Sequence, residues 1–178
     1  MPKSGPRIPT RADEPAEIDY SHASGDDFEA LSRDKVPVRS MAEGDLDALI
    51  AIDRRITGRD RRAYYEQKLA ETLDETGVRV SLVAELDGRP VGFIMARVDF
   101  GEFGRTEPEA VIDTIGVDPA STHQNVGTAM MSQLMVNLMA LQVERVRTEV
   151  VWNDHPLLSF LDRCGFRPAQ RLALKRMI

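Results

Sequence analysis

The residues best able to do chemistry lie close together in the second half of the chain. Ile112-Asp-Thr-Ile-Gly-Val-Asp-Pro119 reads as a strand that Asp118-Pro119 ends, and Gln124-Asn-Val-Gly-Thr-Ala129 reads as a loop opening a helix. The first amides of a helix have no intrahelical partner, and the helix dipole puts partial positive charge behind them. Amides of Asn125, Val126, Gly127, Thr128 and Ala129 would therefore converge on one point suited to a phosphate or pyrophosphate. Gly127 lets the backbone approach a ligand, Ala129 is too small to block it, and Thr128 adds a hydroxyl. An ordinary strand-to-helix turn can also contain such a glycine, and Gly127 alone does not separate the two readings. No G-x-x-x-x-G-K-[ST] loop is present, and no G-x-G-x-x-G follows a strand. The ligand then carries a phosphate group but need not be a nucleoside triphosphate or a nicotinamide dinucleotide.

Two carboxylates stand in apolar strand context nearby. Asp113 interrupts Val111-Ile-Asp-Thr-Ile115, where a buried charge is costly without a partner or a role. Glu149 lies in Arg147-Thr-Glu-Val150, read as mid-strand, where an ion pair with Arg147 or Arg145 is the plainer explanation. The histidines His22, His123 and His155 have no metal-ligand spacing and no cysteine or carboxylate cluster around them, so no metal is expected. Cys164 reads as a small buried residue near a helix end. A basic run, Arg54-Arg-Ile-Thr-Gly-Arg-Asp-Arg-Arg62 with Tyr64 and Tyr65 behind it, is either a solvated helix face paired with Asp53 and Asp60 or a site for an acidic group.

The elements that position these residues follow from periodicity. Val36–Arg39 reads as a strand, and Ser40 with Glu43 as a capping box for a helix carrying Leu46, Leu49, Ile50 and Ile56. After Gly58, Tyr65, Leu69 and Leu73 mark the inner face of a second helix ending near Gly77. Val78–Leu86 and Pro90–Phe100 are strands joined by Asp87-Gly88, a strong hairpin signal. Past Gly101 and Gly104, a strand at Ala110–Val117 precedes the loop, and Met131, Leu134, Leu138 and Leu141 stripe the helix after it. Met130, Met135 and Met139 read as core filler on the same helix. Arg145–Trp152 is a further strand, His155–Arg163 a short helix closed by Gly165, and Leu172–Met177 a last strand. The fold class is α/β: a mixed, mainly antiparallel sheet with one parallel strand–helix–strand unit and helices on both faces.

At 178 residues the chain suits one domain, residues 36–178, preceded by a charged arm at 1–35. The arm has Pro2, Pro6, Pro9 and Pro15, a possible short helix near Asp26–Ser32, and eight acidic residues against five basic ones. It is read as mobile, either a solubilising tail or an arm that covers a partner or wraps a dimer. With 23 Lys and Arg against 29 Asp and Glu, the net charge is −6, which argues against nucleic-acid backbones as main partners. No apolar run is long enough to span a bilayer, the N-terminus has no signal-peptide pattern, and a single cysteine suits a reducing cytoplasm.

The loop also carries a family resemblance. Gln124, Gly127 and Ala129 fill the Q/R-x-x-G-x-G/A acetyl-CoA signature of the GNAT N-acetyltransferases, Val117-Asp-Pro119 leads into it, and Gly165-Phe166 follows the short helix. Element order agrees from about Val36 to Ile178, so the chain resembles that superfamily everywhere but the arm. The resemblance implies acetyl-CoA as co-substrate and an amine as acceptor, a small metabolite or a protein lysine or N-terminus. It implies that Ile115, Gly116 and Val117 pair with the pantetheine arm where the strand splays from the next. Pyrophosphate would sit on the amides from Asn125 to Ala129, and Asn153 would flank the adenosine side. A homodimer, frequent in the family, is possible by analogy.

Two positions depart from the family pattern. Asn125 stands where the signature commonly has glycine, and asparagine tolerates left-handed geometry better than most residues. Leu161 stands where many members place a tyrosine that protonates the leaving thiolate, with Phe160 beside it. For the base that takes the amine proton, Asp113 is preferred over Glu149, because burial favours a raised pKa. Tyr64 or Tyr65 is a further candidate for the missing acid. The contrasting reading is a non-catalytic acyl-CoA-binding regulatory module of the same fold.

Overall fold

Apolar residues on both sides of consecutive strands make the centre of this protein a sheet covered on each face. The computed structural model describes residues 32–73, 78–100, 107–170 and 176–177. Strands β1 (Val38–Ser40), β2 (Arg79–Leu86), β3 (Arg89–Asp99), β4 (Glu109–Val117) and β5 (Arg145–Thr148) stand side by side in that order. The first three pairings are antiparallel and β4–β5 is parallel. Helices α1 (Leu46–Thr57) and α2 (Arg62–Leu73) cover one face; α3 (Val126–Ala140) and α4 (His155–Arg163) cover the other. The fold class read from the sequence holds, including the parallel unit in which α3 joins β4 to β5.

Strand alternation divides the core in two. Leu82, Ile94 and Ile112 pack with Met130, Leu134, Leu138 and Leu161, whereas Val83, Phe93 and Met95 pack with Leu49, Ile52 and Tyr65. Each such side chain contributes about 1.5–3 kcal/mol relative to an exposed one. Asp87 and Gly88 both have positive φ, 51° and 71°, as the tight β2–β3 hairpin requires. Gly58 ends α1 in the left-handed conformation, its amide donating to the Arg54 carbonyl at 2.8 Å.

Several local expectations need correction. Ser40 does not cap α1; it is the last residue of β1, and Asp45 stands at the cap position, its carboxylate turned back to accept from the Ala42 amide at 2.8 Å rather than from α1. A short 3-10 turn at Glu43–Asp45 intervenes because the side chain reaching back belongs to Asp45. Leu141 and Met139 are exposed: α3 ends at Ala140, and in its last turn Leu138 is the residue that faces the core. Residues 32–35, assigned to the arm, form a helical turn with Ser32 buried and Arg33 bonded to Ser132 of α3. The rest of the arm, the loop at Gly101–Gly104 and the strand expected over 172–177, apart from residues 176 and 177, lie outside the described residues.

Candidate active site

The parallel pairing between β4 and β5 runs only from Glu109↔Arg145 to Ile112↔Thr148. Beyond it β5 ends, although a strand to Trp152 was expected from the apolar pattern, while β4 continues to Val117. Thr148 closes the last rung, its hydroxyl donating to the Ile112 carbonyl at 3.0 Å. On its other edge β4 stays paired with β3, through Ile115↔Ile94, Gly116↔Phe93 and Val117↔Gly92. The result is a fork: past Ile112, β4 has no partner strand on that edge among the described residues. Gly116 is required there by packing: a Cβ on it would lie 2.8 Å from the Phe93 ring and 3.1 Å from Ile56 Cδ1 of α1.

A bulge sits at the fork. Met95 pairs with Thr114 and Ala96 with Ile112, so Asp113 is an extra residue in β4. It meets Lys68 Nζ of α2 at 3.1 Å through Oδ2 and the Arg97 guanidinium through Oδ1. Both carboxylate oxygens are thus occupied by cations, and the side chain is only 11% exposed. Burial works against the Lys68 ammonium, but the Asp113 and Glu71 carboxylates outweigh it and hold its pKa above the usual lysine range. Glu149 follows Thr148 past the end of β5 and is not mid-strand. It is 81% exposed, with a 3.8 Å ion pair to Arg147. Arg147 also reaches Asp99 at 3.3 Å and Glu109 at 3.3 Å.

The segment after β4 is held by Asp118. Its Oδ1 accepts from the Ala120 amide at 3.0 Å, and Oδ2 pairs with Arg55 at the end of α1. A 3-10 turn over Pro119–Ser121 follows, and then two non-glycine residues with positive φ, His123 (68°) and Asn125 (60°). Asn125 therefore adopts the conformation that a glycine would take at no steric cost. The first intrahelical bond of α3 runs from the Ala129 amide to the Asn125 carbonyl at 2.9 Å. The amides of Val126, Gly127 and Thr128 consequently have no partner within the helix. Val126 and Ala129 are buried, Gln124 and Asn125 exposed, and Gly127 and Thr128 half-buried. A Cβ on Gly127 would stand 3.1 Å from the Phe160 ring of α4, so a side chain there requires the ring to shift by a few tenths of an ångström. Free amides, a left-handed cap and a bare first turn fit a bound pyrophosphate.

Other candidates fall at varying distance from the fork. Asn153 is exposed just before α4, whose cap is Asp154, accepting from the Leu157 amide at 3.2 Å. Leu161 is buried in the core, so its position does not face the loop; Phe160 does, and neither can donate a proton. Tyr65 is buried against Phe93, and burial pushes its hydroxyl far above the usual phenol range. Tyr64, edge-on to Tyr65 at 5.1 Å, is pushed up by burial as well. Both phenols are thereby weaker acids than an exposed tyrosine. His123 and His155 are exposed and Cys164 is half-buried. No group of three or more His, Cys, Asp or Glu among the described residues is placed to hold a metal.

The matches to known proteins agree with this geometry. Residues 46–166 match the Acetyltransferase (GNAT) family. The chain belongs to that family. Solved structures with the same fold include a transcriptional regulator from Bacillus halodurans C-125, at TM-score 0.68 and 17% identity, covering 80% of this chain and 99% of its own. Another is the aminoglycoside N-acetyltransferase AAC(6')-Iy in complex with CoA, at 0.68 and 15%, covering 80% and 94%. A third is glucosamine-6-phosphate N-acetyltransferase from Arabidopsis thaliana, at 0.63 and 14%, covering 80% and 99%. Among curated proteins no sequence matches.

For this GNAT chain, the basic run does pair with Asp53, as one of its two readings in the sequence had it, whereas the pairs from Lys68 to Asp113 and from Arg55 to Asp118 gave no sign there. Asp53 is buried under α1 and held by two bonds from Arg61, one at 2.8 Å. Burial raises its pKa, but the bonds from Arg61 and Tyr65 outweigh that and leave it below the usual carboxylate range. Which arginine of the run holds Asp53, and that the carboxylate is buried, gives no periodic signal.

Proposed function

We propose that this GNAT acetyltransferase moves acetyl from acetyl-CoA to a primary amine at the β4–β5 fork. The observation that carries the reading is the fork itself, next to a helix end with free amides: a strand edge and an anion site in series fit an extended arm joined to a pyrophosphate. Backbone groups of Ile115, Gly116 and Val117 hold the arm, and the amides of Asn125 to Thr128 hold the pyrophosphate, with Gln124, the Thr128 hydroxyl and Asn153 at its flanks; the Ala129 amide, expected to join them, is taken by the Asn125 carbonyl. Acetyl-CoA supplies a thioester whose carbonyl carbon accepts the amine as the carbon–sulfur bond breaks. A β4 amide near Ile115 polarises that carbonyl.

For the proton, Glu149 is the better placed of the two carboxylates. Asp113 carries a cation on each oxygen and would have to give up an ion pair to take a proton, so it acts as a positioning residue for Lys68 and Arg97. Glu149 is open to solvent at the fork and takes the amine proton directly or through water. With Phe160 and Leu161 unable to donate, the thiolate is protonated from solvent. The single Cys164 supports a cytoplasmic setting.

Thiol release from acetyl-CoA across a panel of amines tests this. Wild-type protein releases thiol with at least one acceptor, and Glu149→Gln lowers kcat about 100-fold while acetyl-CoA still binds. Tight acetyl-CoA binding with no release from any amine would instead identify a non-catalytic acyl-CoA-binding module.

A further inference from the structure

We infer that the acceptor amine carries an anionic group, a carboxylate or a phosphate, received by Arg54 and Arg59 at the α1–α2 corner; this rests on the acetyl-transfer reading. The corner lies against the open end of β4, because Ile56 sits on Gly116 and Arg55 is bonded to Asp118. On this side of the sheet the carboxylates are already taken. Asp53 is held by Arg61, Asp113 by Lys68 and Arg97, Asp118 by Arg55, and Asp99 by Arg97 and Arg147. Farther out, Asp47 pairs with Arg62 at 2.9 Å, and Asp60 accepts from the Arg62 amide at 3.0 Å.

What is left over is positive. Arg54 and Arg59 are exposed and have no carboxylate partner among the described residues. Arg54 also lines a groove of about 680 Å³, together with Arg55 and Arg62 and with Ala51, Asp47 and Asp60 between. On a chain with net charge −6 this is a local reversal of sign. A polycationic acceptor would meet Arg54 and Arg59, which no carboxylate among the described residues neutralises, while Asp47 is already bonded to the Arg62 side chain and Asp60 to its amide. A carboxylate or phosphate would meet guanidinium forks that match its geometry. The same positive surround favours the neutral form of the attacking amine over its ammonium.

The test compares acceptors differing only in the acidic group: glucosamine 6-phosphate against glucosamine, and β-alanine against its amide, with neamine as the polycation. Thiol release should show kcat/KM at least tenfold higher for one or both acidic members than for their neutral partners, and lower still for neamine. The pair that shows it tells phosphate from carboxylate. Arg54→Ala and Arg59→Ala should each raise KM for that acceptor tenfold or more, and Arg59→Glu further, with KM for acetyl-CoA and Tm unchanged. Equal or better use of neutral or cationic acceptors would overturn the inference and leave acetyl transfer standing. Should no amine turn over, the transfer reading fails, and calorimetric titration of glucosamine 6-phosphate onto CoA-loaded protein decides the anion site alone. Binding lost in the Arg54→Ala/Arg59→Ala double variant would support it, and no binding would overturn it.

Discussion

At the scale of single residues, Asn125 shows how a departure from a family pattern is accommodated by backbone chemistry. Its φ of 60° is one that β-branched residues adopt only with strain of about 1–2 kcal/mol. Asn125→Gly should keep both stability and acetyl-CoA affinity, whereas Asn125→Val should lose about 1–2 kcal/mol in urea unfolding and bind acetyl-CoA more weakly. The two carboxylates differ for an equally local reason. Asp113 and Glu149 follow the paired residues Ile112 and Thr148 on neighbouring strands, but the bulge hands Asp113 to Lys68 and Arg97 while Glu149 stays in water. Sequence alone identified both positions and put Asp113 first, because an ion pair between residues 45 positions apart leaves no trace in spacing.

Among elements, the legible features were those set by short-range chemistry. Asp87-Gly88 marked its hairpin, Gly165 its helix end, and His155–Arg163 its helix to the residue. The end of β5 was not legible: Val150, Val151 and Trp152 look like strand, yet the fork removes their partner and leaves Val151 and Trp152 exposed. The α1–α2 hairpin depends on the buried Asp53, 3% exposed, gripped by Arg61. Asp53→Ala should therefore strand the Arg61 guanidinium and cost about 2–3 kcal/mol in chemical unfolding. A loss under about 0.5 kcal/mol would mean that the pair contributes little beyond its solvation.

For the whole molecule, acid stability reports the ion pairs together. The Arg39 bonds, opposed by burial, hold Asp45 below the usual carboxylate value of 3.8, and Asp53 also lies below it. Groups with depressed folded pKa values stabilise above the unfolded value and lose that contribution as pH falls through the folded one. Unfolding free energy should be flat down to about pH 4 and then drop, and the Asp45→Asn/Asp53→Asn double variant should drop less. The overall architecture was readable because apolar periodicity and turn residues agree from β1 to α4. The charge pattern of the acceptor side was not, since Arg54–Arg62 looks alike in sequence whether its cations are paired or free.

Acetyl-CoA binding at the β4–β5 fork and the α3 N-terminus is the claim on which the rest depends, and calorimetric titration tests it most directly. Wild-type protein should bind one acetyl-CoA per chain and neither ATP nor NAD. Gly127→Glu, which sets a carboxylate against the α3 amides and a Cβ 3.1 Å from Phe160, should abolish that binding while keeping the far-UV spectrum of a folded chain. Asn125→Gly, which leaves the loop its conformation, should bind as the wild type does. Undiminished binding by Gly127→Glu, or no binding by the wild type, would contradict the account.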